Sequence, residues 1–150
     1  MKIEFELSSN KLLAECQHQS LIDAQMSKTE TGQSLTDEIA LSDKNQDIFN
    51  TELLSQVARL YSTFANLIQF TTKPSSYKIE VTTPDVSEPS YSQAVVIGIK
   101  DYLKYAMLAW WNLSRGNGPL MTAYTAKQDE ARSYVTNLIT PKVERPYRYW

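Results

Sequence analysis

Two stretches of the chain alternate apolar and polar residues with period two, and nearly all the remaining apolar pattern is helical. In "KIEFELS", residues 2–8, Ile3, Phe5 and Leu7 fall on one side and Lys2, Glu4 and Glu6 on the other, the pattern of a half-buried strand. In "YKIEVTT", residues 77–83, Tyr77, Ile79 and Val81 alternate with Lys78, Glu80 and Thr82 in the same way. No third stretch is comparable, so the pattern predicts a small two-stranded β element, paired within one chain or with copies in neighbouring subunits. A two-stranded ribbon is marginal in water, and helices must therefore cover its apolar face.

Four helices are expected. Ser8 or Ser9 caps a short N-terminal one through "NKLLAECQHQSLIDAQ", in which Leu12, Leu13, Cys16, Ser20 and Ile22 share a side. The polar run "SKTETGQSLTDEIALSDKN", anchored only by Leu35, Ile39 and Leu41, reads as an ordered excursion or surface loop. Ser42 has the position of an N-cap, followed by Asp43 and Asp47 where the helix dipole favours negative charge. From Ile48 to Phe70, the positions Phe49, Leu53, Val57, Leu60, Phe64 and Ile68 step by three or four and predict the first long helix, closed off by Pro74. The segment "TTPDVSEPS" is a connection.

The third helix is apolar on two faces. One stripe carries Val95, Ile99, Leu103 or Tyr102, Ala106, Trp110 and Leu113; a second carries Ile97, Tyr105, Leu108 and Trp111. Such a helix must be covered on both sides. Gly116 has the position of a left-handed C-cap, and Gly118 with Pro119 that of an N-cap and first helical residue. A fourth helix then runs from Pro119 to about Thr140, burying Leu120, Tyr124, Ala131, Val135 and Leu138, until Pro141 biases Thr140 out of helix. The expected fold is mainly α: three long helices plus one short N-terminal helix, with a two-stranded β element. It divides into one helical domain over residues 1–140 and an extended C-terminal arm over 141–150.

Composition supports a single folded domain. A length of 150 residues suffices for a real core, and 42% hydrophobic with 21% charged residues is the balance of a globular chain. One cysteine, Cys16, precludes an intrachain disulfide and fits a reducing compartment. The N-terminus lacks the basic start and unbroken apolar run of a secretory signal. The most apolar window, residues 94–113, contains Lys100, Asp101 and Lys104, which hydrocarbon tolerates poorly, so no membrane span is expected. The net charge of −2 divides unevenly: residues 1–90 hold 7 basic against 13 acidic side chains, residues 91–150 hold 8 against 4. Opposite halves suit packing of identical copies, although two solvated faces are the simpler explanation.

Catalytic chemistry finds no footing. His18 is the only histidine, which excludes a histidine triad or a cluster of histidine ligands. Cys16 lies two positions away, on a different helical face, as a small buried residue beside an exposed imidazole. Asp37–Glu38 and Asp129–Glu130 are adjacent pairs that a helix points apart. "RGNG", residues 115–118, is too short for a phosphate cradle and joins two helices. The chain therefore reads as a non-enzyme without cofactor or metal.

Aromatic residues are the candidates that remain. Trp110, Trp111 and Tyr105 lie on apolar helix faces, which favours core or subunit-interface packing over base stacking. The arm ends Arg145, Pro146, Tyr147, Arg148, Tyr149, Trp150. Disordered tails are poor in aromatics, so this arm should dock: on its own domain, on a neighbouring subunit, or on nucleic acid through Arg145 and Arg148.

The layout of strand, "SSNKLLAEC" helix, "ETGQSLTDEIALSDKNQDIF" leading into a long helix, strand, long helix, turn, last helix and basic aromatic end resembles the small head–tail connector (neck, or adaptor) proteins of tailed bacteriophages and prophages, especially of Bacteroidetes hosts. The resemblance implies a structural virion protein assembled in the host cytoplasm. Identical subunits would form a ring, such as a dodecamer, between the portal protein and the tail or neck proteins. Genome DNA would pass through its channel without sequence-specific binding. A pI of 5.4 departs from that of a strongly basic DNA-binding protein, and weak attraction would let DNA slide. The alternative is a nucleic-acid-binding accessory protein that uses the basic aromatic tail.

Overall fold

A computed structural model describes residues 1–26 and 40–141. Its elements are β1 (Lys2–Ser8), α1 (Ser9–Met26), a short 3-10 turn (Asp43–Asn45), α2 (Gln46–Thr63), β2 (Ile68–Lys73), β3 (Ser76–Thr82), α3 (Pro89–Ser114) and α4 (Gly118–Ile139). The described residues are mainly helical, with four helices and a small antiparallel sheet among them. The Leu35 and Ile39 anchors and the arm beyond Pro141 lie outside the described residues.

The sheet has three strands, not two, in the order β1-β3-β2. β1 and β3 pair within one chain. The missed strand, β2, occupies sequence assigned above to the end of the first long helix. Leu60, Phe64 and Ile68 continue the spacing by four, but the helix stops at Thr63, and Ala65 (φ 53°) and Asn66 (φ 64°) turn the chain through left-handed backbone. Pro74 does not close a helix; with Ser75 (φ 59°) it forms the two-residue turn between β2 and β3. Register then builds three rows on one face, apolar except at the exposed Thr72: Ile3–Val81–Ile68, Phe5–Ile79–Phe70 and Leu7–Tyr77–Thr72. The other face carries Glu6–Lys73 (2.7 Å), Lys78–Glu4 (3.5 Å) and Lys78–Glu80 (3.6 Å). The Lys73 ammonium, by hydrogen bond and charge, holds the exposed Glu6 carboxyl below the usual carboxylate range.

α1 is not short: its 18 residues equal α2 in length. Leu12, Leu13, Cys16, Ser20 and Ala24 form its buried stripe, whereas His18 is exposed. Ser20 is tolerated in the core because its hydroxyl donates to Gln17 O (3.0 Å) and accepts the Leu41 N–H (2.9 Å). Ser42 caps the 3-10 turn that precedes α2, and Asn45 Oδ1 accepts from its N–H (3.2 Å) and hydroxyl (3.0 Å).

α3 is the central element, and twelve of its residues are buried. Val95, Ile99, Leu103 and Met107 close the core with Phe49, Leu53, Val57 and Leu60 of α2 and with Ile79 and Val81 of β3. α4 packs along its other side through Tyr124, Val135 and Ile139. The two apolar faces read from the sequence are thus both covered, except at Ile97 and Leu113, which remain exposed. Gly116 has φ 73° as a left-handed C-cap requires, and Asn117, rather than Gly118, caps α4 by accepting the Leu120 N–H at 3.3 Å. Tyr91 OH donates to Leu138 O (2.6 Å), tying the last turn of α4 to the first turn of α3.

Candidate functional site

The α3–α4 hairpin holds every candidate aromatic within the described residues. At its tip, Trp111 is 3% exposed, and the Arg115 guanidinium lies over its ring at 4.3 Å. Trp111 therefore spends its surface inside its own chain. Trp110, tilted 53° to it at 6.0 Å, is only half-buried, and Leu113, one turn further along the same stripe, is 63% exposed. Together Trp110 and Leu113 make an apolar tip beside the exposed Arg115.

Midway along the hairpin, Tyr105 stacks on Tyr124 with ring centres 6.2 Å apart and 20° between planes. Lys127 Nζ sits over both rings, at 5.5 and 5.7 Å, and Lys104 Nζ lies 5.9 Å from Tyr105. Tyr124 OH donates to Asp23 Oδ2 of α1, whose other oxygen accepts from Gln19 Nε2 at 3.1 Å. Burial first, and the bond to Asp23 second, push the Tyr124 hydroxyl well above the ordinary tyrosine pKa. This cluster is a clamp that joins three helices. Tyr105 belongs to it, with a half-buried ring.

Toward the open end, α3 and α4 approach closely at Gly98, where a Cβ would stand 2.7 Å from Val135 Cγ2 and 3.2 Å from Tyr134 Cδ1. Flanking this crossing is an open groove of about 310 Å³ lined by Gly98, Asp101, Tyr105, Lys127, Glu130, Ala131 and Tyr134. Tyr134 of its lining is 51% exposed, and Ile97, next to Gly98 in the chain, is 58% exposed. Sequence reading overlooked this groove, although a lone glycine between Ile97 and Ile99 in a helical pattern is itself a sign of close approach. A second, separate set of exposed apolar side chains lies on α2: Leu54 (43%) and Tyr61 (46%), seven residues apart on one stripe, with Ile48 (58%) to one side.

Arg145, Tyr147, Arg148, Tyr149 and Trp150 lie outside the described residues, so the structure places none of them. Among the described residues no group of histidine, cysteine and carboxylate side chains could hold a metal ion, and no helix is long and apolar enough to cross a membrane. The chain matches no protein-family profile, no curated protein and no solved structure.

Proposed function

We propose that the chain is a structural subunit that packs with identical copies into a closed ring at the head–tail junction of a tailed bacteriophage, between portal and tail, with the genome passing through the channel. One observation carries the ring: large apolar side chains stand exposed on two separate elements, Leu113 at the tip of α3 beside the half-buried Trp110, and Leu54 and Tyr61 on α2, and none of Leu113, Leu54 and Tyr61 belongs to the core. A closed cyclic assembly needs two different complementary surfaces on each subunit. Two dissimilar apolar patches supply that requirement, and the acidic first half and basic second half of the chain add complementary charge. The position in a virion comes from the resemblance in layout to head–tail connectors.

The test is light scattering coupled to size exclusion over a range of concentrations, followed by electron microscopy of the chain alone and mixed with portal particles. Rings, free or seated on portals, are the expected result. A chain that stays monomeric with portals and instead binds oligonucleotides with steep salt dependence would overturn this reading in favour of a nucleic-acid-binding accessory protein.

A further inference from the structure

The groove between α3 and α4 has a candidate occupant within the same chain. We propose that residues 142–150, "KVERPYRYW", fold back and dock in the groove lined by Gly98, Asp101, Tyr105, Glu130, Ala131 and Tyr134 of their own subunit.

The chain leaves the helix next to this groove. Lys127, Glu130, Ala131 and Tyr134 form one stripe of α4, and Leu138 continues it one turn later. α4 ends at Ile139, Thr140 is already extended (ψ 128°), and the Tyr91–Leu138 bond fixes this end against α3. Pro141 cannot continue the helix. Reach is sufficient: the stripe from Leu138 back to Lys127 spans about 16 Å of helix. Nine extended residues cover roughly 30 Å, which leaves ample length for the reversal.

Chemistry matches on both sides. The groove offers two carboxylates, Asp101 and Glu130, neither in an ion pair among the described residues, while its one cation, Lys127, lies over the Tyr105 and Tyr124 rings. The arm brings Lys142, Arg145 and Arg148 against a single acid, Glu144. Its three rings, Tyr147, Tyr149 and Trp150, meet Tyr134 of the groove lining and Ile97, next to Gly98 in the chain, both more than half exposed. A tether this short gives the arm an effective concentration in the millimolar range at its own groove, which favours it over the arm of another copy. The docking stands apart from the ring, since neither the α2 patch nor the hairpin tip takes part in it.

The full chain tests this with Trp150 replaced by the photoreactive aromatic benzoylphenylalanine, prepared in both ¹⁴N and ¹⁵N forms and irradiated as a mixture. Cross-links from position 150 should map to peptides covering residues 97–105 or 127–134, with the same isotope in both halves. Reversing the groove charges (Asp101→Lys with Glu130→Lys) should cut the yield several-fold and leave the circular dichroism spectrum unchanged. Links elsewhere, no links, or a yield indifferent to the charge reversal would each overturn the proposal. Isotopically mixed pairs would overturn it too, by assigning the groove to a second copy.

Discussion

Gly98 and Val135 meet so closely that a single added methyl cannot fit: a Cβ on Gly98 would lie 2.7 Å from Val135 Cγ2. The contact sets how near α3 and α4 come to each other, and so the depth of the groove beside it. Gly98→Ala gains about 1 kcal/mol of helix propensity. Overpacking against a β-branched neighbour with no freedom to swing away costs roughly 1–3 kcal/mol and outweighs that gain. The variant should lose about 1 kcal/mol net, read as a lower urea midpoint. Trimming the partner as well (Gly98→Ala with Val135→Ala) should show a favourable coupling in a double-mutant cycle; independent effects would mean that the helices simply part.

A second prediction concerns the turn between α2 and β2. Ala65 is exposed and held at φ 53°, where a side chain costs about 1 kcal/mol or more and glycine nothing. Ala65→Gly should therefore raise stability by up to about 1 kcal/mol, against the usual direction of an alanine-to-glycine change. Thermal denaturation decides it, and a lower midpoint would mean that the strain is relieved elsewhere.

This turn is also where the sequence misled. Leu60, Phe64 and Ile68 sit four apart, so their spacing is that of one helical stripe. All three are buried, but Phe64 and Ile68 reach the core from outside the helix. No glycine or proline marks the break; Ala65 and Asn66 adopt left-handed backbone between the buried Phe64 and Ile68. The usable signal was the β-branched and aromatic run "IQFTTK" followed by Pro74. α3, by contrast, was legible over nearly all its length, although Pro89 and Ser90 of its first turn were read as connection. Its two apolar stripes required cover on both sides, and its end was written in Gly116, but the cap of the next helix fell on Asn117 and not on Gly118. The tryptophans were legible as residues to be covered, but not which of the two the chain itself would bury. The groove depended on an interhelical distance, which no spacing along one helix encodes.

Stability should fall on the alkaline side. Burial pushes the Cys16 thiol from 9.0 up to about 12, and burial together with the bond to Asp23 raises the Tyr124 hydroxyl; burial also raises Tyr77. Above the unfolded values, the unfolded chain releases these protons while the native chain keeps them. The native state then binds more protons, and stability declines as pH rises. The contributions are whole below pH 9.0 for Cys16 and 10.0 for the tyrosines; that of Cys16 is gone by about 12. Urea midpoints should stay flat near neutral pH and drop steadily once pH 9.0 is passed. Tyr124→Phe should flatten the part above 10.0, at the cost of its bond to Asp23, worth about 1.5–3 kcal/mol near neutral pH. An unchanged midpoint well into the alkaline range would show that these groups titrate freely in the native chain.

The ring makes a sharper demand than self-association. If the tip of one subunit rests on α2 of the next, Leu113→Glu destroys one half of the contact and Leu54→Glu the other. Both side chains are exposed in the single chain, at 63% and 43%, and neither belongs to the core, so either change should shift its stability by no more than about 0.5 kcal/mol. Each variant alone should then be folded and monomeric, because a charge in the apolar centre of a contact removes about 2 kcal/mol or more of binding. Mixed in equal amounts, they behave differently. A Leu54→Glu subunit still carries an intact tip, and a Leu113→Glu subunit an intact α2 face, so one good contact forms and cannot propagate. Light scattering should find a dimer with one copy of each. A contact made by the same patch on both partners would give a different outcome, since no pairing of the two variants would restore it, and a mixture that stays monomeric would rule out tip-to-α2 packing.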